Sequence, residues 1–107
     1  MKNGLGNMLK QAEKMQSEMA RVQEELAGSR VDGESGGGMV KVTMNGKREV
    51  VAVNIESVAT TEDKAMLEDL VAAAVNDAIR RVEELSAEKM AQITSGIELP
   101  AGIKLPF

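Results

Sequence analysis

The apolar residues of this chain change period twice. From Leu5 onward they step by three and four: Leu5, Met8, Ala12, Met15, Met19, Val22 and Leu26. That is an a/d seam three heptads long, narrow enough to suit a partner helix better than a broad core face. Gly28 follows as a stop. From Val40 the period is two. Val40, Val42 and Met44 alternate with Lys41 and Thr43, and Val51, Val53 and Ile55 resume the alternation, the mark of half-buried strands. Asn45-Gly46 between them predicts a type I′ hairpin turn, which needs positive φ at both central residues. Gly36 to Gly38 can visit positive φ without a Cβ clash. A further strand is expected near Arg30 to Ser35. Helical spacing returns at Met66 and Leu67, continues broadly through Leu70, Val71, Ala74, Val75, Ala78, Ile79 and Val82, then thins through Leu85, Met90 and Ile93. Thr60 and Asp63 stand at capping-box spacing before it, and Ser95-Gly96 closes it.

The pattern predicts an α+β protein: long helix, three-stranded antiparallel sheet, long helix, extended C-terminal tail. Length adds a second expectation. A helix over 5–27 is ~34 Å long and one over 61–94 is ~50 Å, whereas strands of six or seven residues span ~20–23 Å. Both helices must overhang the sheet. The simplest way to cover their seams is a second copy, with the helices pairing in a dimer. The candidate dimer interface is the seam itself: Leu5, Met8, Ala12, Met15, Met19, Val22 and Leu26. The spacing alone leaves open whether that seam pairs within the chain or between chains. In the tail, residues 96–107, Ile97, Leu99, Ala101, Ile103, Leu105 and Phe107 are apolar at every second position. Pro100 and Pro106 exclude a helix there, so an extended strap on apolar surface is expected.

Composition narrows the classes. A chain of 107 residues is read as one domain. It has no Cys, hence no disulfide framework, and no apolar run long enough to span a membrane. No signal-peptide h-region follows Lys2. A cytoplasmic protein without membrane partners is expected. The net charge is −4, from 13 basic and 17 acidic residues. The acids gather early in the second helix: Glu62, Asp63, Glu68, Asp69 and Asp77 stand against Lys64.

Catalytic motifs fail on context. Gly33-Glu34-Ser35-Gly36-Gly37 matches G-x-S-x-G, but a nucleophile elbow needs a strand-to-helix turn and a His, and the chain has no His. The triple glycine leads into a strand and lacks the Lys-Ser/Thr pair of a phosphate loop. Glu62-Asp63 and Glu68-Asp69 lack calcium-loop spacing, and without Cys or His no transition-metal site is expected. No catalytic residue, cofactor, metal or small-molecule substrate is indicated. Basic residues remain. Lys10 and Lys14 share a helix face outside the seam, Arg21 lies seven beyond Lys14, and Arg80, Arg81 and Lys89 lie toward the end of the second helix. Solvated charges balanced by nearby acids are the plain reading. The overhang offers another, since arms can meet phosphates while the net charge stays negative: only local potential counts within a Debye length. Phe107 is the only aromatic, which disfavours stacking on single strands.

Four segments in order carry a family resemblance. Gly4-Leu5-Gly6-Asn7-Met8-Leu9-Lys10-Gln11-Ala12, then Gly33 to Gly46 (GESGGGMVKVTMNG), then Met66 to Ala74 with Asn76-Asp77-Ala78, then Leu99 to Phe107 resemble the YbaB/EbfC family of bacterial nucleoid-associated proteins. The chain departs from many relatives in having fewer residues before Gly4 and little insertion after Lys47. The resemblance implies a small homodimeric DNA-binding protein of the cytoplasm. The expected function is duplex DNA binding, mainly through phosphates, with Lys10, Lys14, Arg21, Arg80, Arg81 and Lys89 as the candidate contacts and a nucleoid-organising or regulatory role. The alternative is a protein-interaction module that uses the Met-rich face of Met8, Met15 and Met19, since methionines adapt to varied partners.

Overall fold

The computed structural model describes residues 2–57 and 63–95. The Thr60 cap and the 96–107 tail lie outside the described residues. Helix α1 runs over Lys2–Gly28, followed by strands β1 (Arg30–Ser35), β2 (Val40–Asn45) and β3 (Val50–Ile55), then helix α2 over Lys64–Ser95. The sheet is antiparallel with strand order β1-β2-β3. This is the expected α+β architecture, and the strand expected near Arg30 to Ser35 is present.

Glycine and asparagine place the turns, though not both in the expected way. Between β1 and β2, Gly36, Gly37 and Gly38 have φ of 58°, 67° and 95°, a run that residues with a Cβ avoid. Between β2 and β3 the expected two-residue type I′ turn is absent. The Arg48 N–H donates to Asn45 O (3.0 Å) and the Asn45 N–H to Glu49 O (3.0 Å), and the residue at positive φ is Arg48, at 64°. The loop is therefore Gly46-Lys47-Arg48, a turn followed by one left-handed residue. The Asn45 side chain drives it: Oδ1 accepts the N–H of Lys47 (2.9 Å) and of Glu49 (3.1 Å), an Asx geometry that competes with the tighter turn. Gly46 serves close approach instead. Its N–H donates to Leu26 O at 2.9 Å, and a Cβ there would lie 2.1 Å from that oxygen.

Helix α2 begins one turn later than its spacing suggested. Asp63 is its cap, with Oδ1 accepting the Met66 N–H at 2.7 Å, so one orphan donor of the first turn is satisfied. The helix lies over β1 and β2. Val40, Val42 and Met44 of β2 are buried against Ala74, Ala78 and Val82. Helix and sheet come close because small residues meet: a Cβ on Gly33 would sit 2.3 Å from the Ala78 nitrogen. Ser35 Oγ adds a bond to Leu70 O at 2.6 Å. The serine of the G-x-S-x-G match is thus held against the helix backbone.

A second cluster ties α1 to the end of α2. Val22, Leu26 and Ile93 are buried together, with Met19, Leu85 and Met90 packed around them. The chain entering through α1 and leaving through α2 makes an antiparallel pair beyond the sheet, and the molecule extends over 71 × 26 × 16 Å. Strand β3 is left bare. Val53 stands opposite Val42 and Ile55 opposite Val40, so both belong to the core face of the sheet, yet Val53 is 49% exposed.

Candidate nucleic-acid interface

The six candidate basic residues fall into two groups. Lys10 and Lys14 are exposed on the first half of α1, and neither joins an ion pair among the described residues. The other four each have a carboxylate partner. Arg21 bonds Glu18 at 2.7 Å and also Glu25. The Glu18 hydrogen bond is the main reason its guanidinium holds its proton more tightly than usual. Arg80 and Arg81 both reach Asp77, at 3.2 and 3.1 Å. Lys89 meets Glu25 at 3.1 Å. These pairs sit at the surface, where each contributes little to stability, but each also neutralises the field its cation could present to a phosphate.

Asp77 does more than balance arginines. Its Oδ2 accepts the Glu34 N–H at 2.9 Å, which satisfies a backbone donor on the outer side of β1. That bond is the largest cause of its lowered pKa, followed by Arg81. The carboxylate therefore anchors the sheet edge and fixes the bases of two arginines together.

The seam residues also divide. Val22 and Leu26 are buried within the chain and Met19 packs beside them. Met15 is half-buried, Ala12 is exposed, and Leu5 and Met8 are 64% and 67% exposed. Leu9, outside the strict seam, is equally bare.

Sequence reasoning left out one pair of cations, Lys47 and Arg48 at the β2–β3 tip. The available clue was two adjacent basic residues in a loop that the fold brings to the end of α1. Arg48 has Glu83 3.8 Å away. Lys47 has no ion-pair partner among the described residues. No cluster of three or more potential metal ligands forms among the described residues, and Asp63 is committed to its helix cap. No described helix is long and apolar enough to cross a membrane.

A helix, a three-stranded antiparallel meander and a helix whose end pairs with the first define a two-layer α+β class with a projecting helical arm. Residues 1–97 match the model of the YbaB/EbfC DNA-binding family, and the chain belongs to that family of DNA-binding, nucleoid-associated proteins. It is also similar to a solved structure, the uncharacterized protein HP0035 from Helicobacter pylori. The two share 29% identity with a TM-score of 0.68, over 84% of this chain and 92% of that one.

Proposed function

We propose that this protein binds duplex DNA as a homodimer, mainly by phosphate contacts from its projecting helical arm, as a cytoplasmic, nucleoid-associated protein without catalytic activity. The observation that carries the reading is the state of Lys10 and Lys14. In a chain of a DNA-binding family, these two cations stand exposed on the overhanging part of α1, without acid partners among the described residues. Arg21, Arg80, Arg81 and Lys89 are secondary contacts, released to DNA only by exchange of their carboxylates. Two bare apolar surfaces support the second copy: the seam from Leu5 to Ala12, and the β3 face with Val53 and Ile55. Uncovered, a β-branched edge strand of this kind invites uncontrolled pairing. The whole chain forms one domain in this reading, with its tail laid on apolar surface.

A titration of labelled duplex at several salt concentrations tests the proposal. Affinity falls log-linearly with salt, by about 0.9 log units per contacted phosphate for each tenfold rise in salt. Reversing Lys10 and Lys14 to Glu weakens binding to unrelated duplexes alike. Exposed Met8 beside Leu5 and Leu9 favours a second reading, a protein-interaction module. Absence of binding at low salt selects that reading.

A further inference from the structure

The β2–β3 hairpin tip does not end in open solvent. It leans over the α1–α2 pair and encloses a cleft of ≈ 290 Å³ with it. The floor is apolar, from Leu26 and Val82, and the polar lining is Gln23, Ser86, Lys47 and Arg48. An amide, a hydroxyl, an ammonium and a guanidinium can all donate hydrogen bonds. Among the described residues, no carboxylate lines the space.

The backbone that carries the two cations is held in place. The Gly46 N–H is bonded to Leu26 O, so the tip moves with the end of α1. The Asn45 carboxamide oxygen grips the Lys47 and Glu49 N–H groups on either side of Arg48. Arg48 itself sits at φ 64°, where glycine is unstrained and an arginine is not. Its ion-pair partner, Glu83, is 3.8 Å away, and both side chains are more than half exposed; Glu49 follows Arg48 in the chain. A donor-rich cleft with two positive charges on a backbone-anchored tip can seat an anion.

We infer that this cleft seats a backbone phosphate of the bound duplex, with Lys47 and Arg48 as its counter-charges. The inference rests on the DNA-binding reading above and extends it to a part of the fold outside the helices. Along the axis of α1 the cleft is well separated from the arm lysines. Leu26 touches the tip, and Lys14 and Lys10 lie 12 and 16 positions earlier on α1. At ~1.5 Å per residue that is ~18 and ~24 Å. Lys10, Lys14, Lys47 and Arg48 all come from one protomer.

The test is fluorescence anisotropy of a labelled duplex, titrated with the full chain across a salt series. Arg48→Gly, Lys47→Ala and the double variant are compared with wild type, and Lys41→Ala serves as control at the opposite end of β2. Glycine accepts the φ of position 48, so Arg48→Gly melts at or above the wild-type temperature. In the double variant the log–log salt slope flattens by about 0.9, and affinity at 0.1 M salt drops on the order of tenfold, the signature of one lost phosphate contact. Lys41→Ala leaves the slope unchanged. Glu83→Gln, which frees Arg48, tightens binding about two- to threefold, the scale of a surface ion pair. If wild type binds and the double variant keeps the wild-type slope, the cleft is not a contact, although the arm still is. An equal loss in Lys41→Ala also overturns the inference, since bulk charge would then explain the effect. If wild type fails to bind at low salt, the DNA reading itself falls.

Discussion

Between Met19 and Leu26 the seam of α1 is packed against Leu85, Met90 and Ile93 of α2; between Leu5 and Ala12 the same seam faces solvent. The residue types scarcely differ, and the heptad is continuous. What differs is the reach of α2, which ends at Ser95. Burial of a Val or Leu side chain contributes roughly 1.5–3 kcal/mol, so Val22 and Leu26 hold the helix down. Within a single chain, Leu5 and Met8 contribute almost nothing of this kind. One periodic stripe therefore serves two purposes: internal docking at one end, and a surface for something else at the other. The same division runs through the charges. Arg21, in the docked half, is tied to Glu18 and Glu25, while Lys10 and Lys14 are unpaired among the described residues.

The comparison breaks most sharply at Gly46. Replacing it by Ala puts a Cβ 2.1 Å from Leu26 O, and the docked half must shift away from the sheet. The expected loss is about 3 kcal/mol in urea unfolding. A loss under about 1 kcal/mol would mean that the hairpin tip does not anchor α1.

Leu26→Ala, at a side chain only 2% exposed, removes buried volume and is expected to cost about 2–4 kcal/mol. Met8→Ala in dilute protein is expected to stay within about 0.5 kcal/mol. Should the Met8 penalty grow toward that of Leu26 as protein concentration rises, a second copy covers the free half. A flat response across concentrations would count against the dimer.

Charge reversal reads the other side of the comparison. Lys10→Glu with Lys14→Glu should leave the melting temperature within a few degrees while duplex affinity falls by on the order of tenfold or more at 0.1 M salt. An equal drop in thermal stability would show that these lysines serve the fold.

The smallest effect concerns Glu25, in the docked half. The Lys89 hydrogen bond, with Arg21 adding to it, holds its carboxyl below the ordinary value of 4.5. A lowered folded pKa contributes stability that is present above the unfolded value and lost as pH falls through the folded one. Wild type should therefore lose slightly more stability than Glu25→Gln as pH drops below about 4.5, with no difference at pH 7 beyond the loss of the pair itself. Parallel acid limbs for the two proteins would remove Glu25 from the docking account.

Element types and order were legible because each rests on period: three-and-four spacing for α1 and α2, two for β2 and β3. The β1 strand, with only Val31 apolar over Arg30–Ser35, carries no such period, so only its approximate place was legible. The form of the β2–β3 turn was not legible, because the Asn45 side chain and the nearby Leu26 carbonyl decide it, and the second is 20 positions away. Gly33 was invisible for the same reason: its role exists only once Ala74 and Ala78 arrive above it. At the candidate site, the sequence named cations but could not tell free from paired. That distinction lies in rotamers and in contacts such as Lys89 with Glu25, 64 positions apart.

That same separation sets an order of events. The β1–β2 and β2–β3 hairpins close over a few residues each, whereas docking α1 on the end of α2 closes a loop of more than 60 positions. Loops of that length form late. The contacts that seat α1 also form a small cluster apart from the main core, the condition for opening as a separate unit. The arm is thus expected to fold last and open first, which amide exchange along α1 and the sheet would check. A duplex that binds the docked arm lowers the population of the open form, so slowed amide exchange in α1 should register DNA before any rise in the melting temperature does.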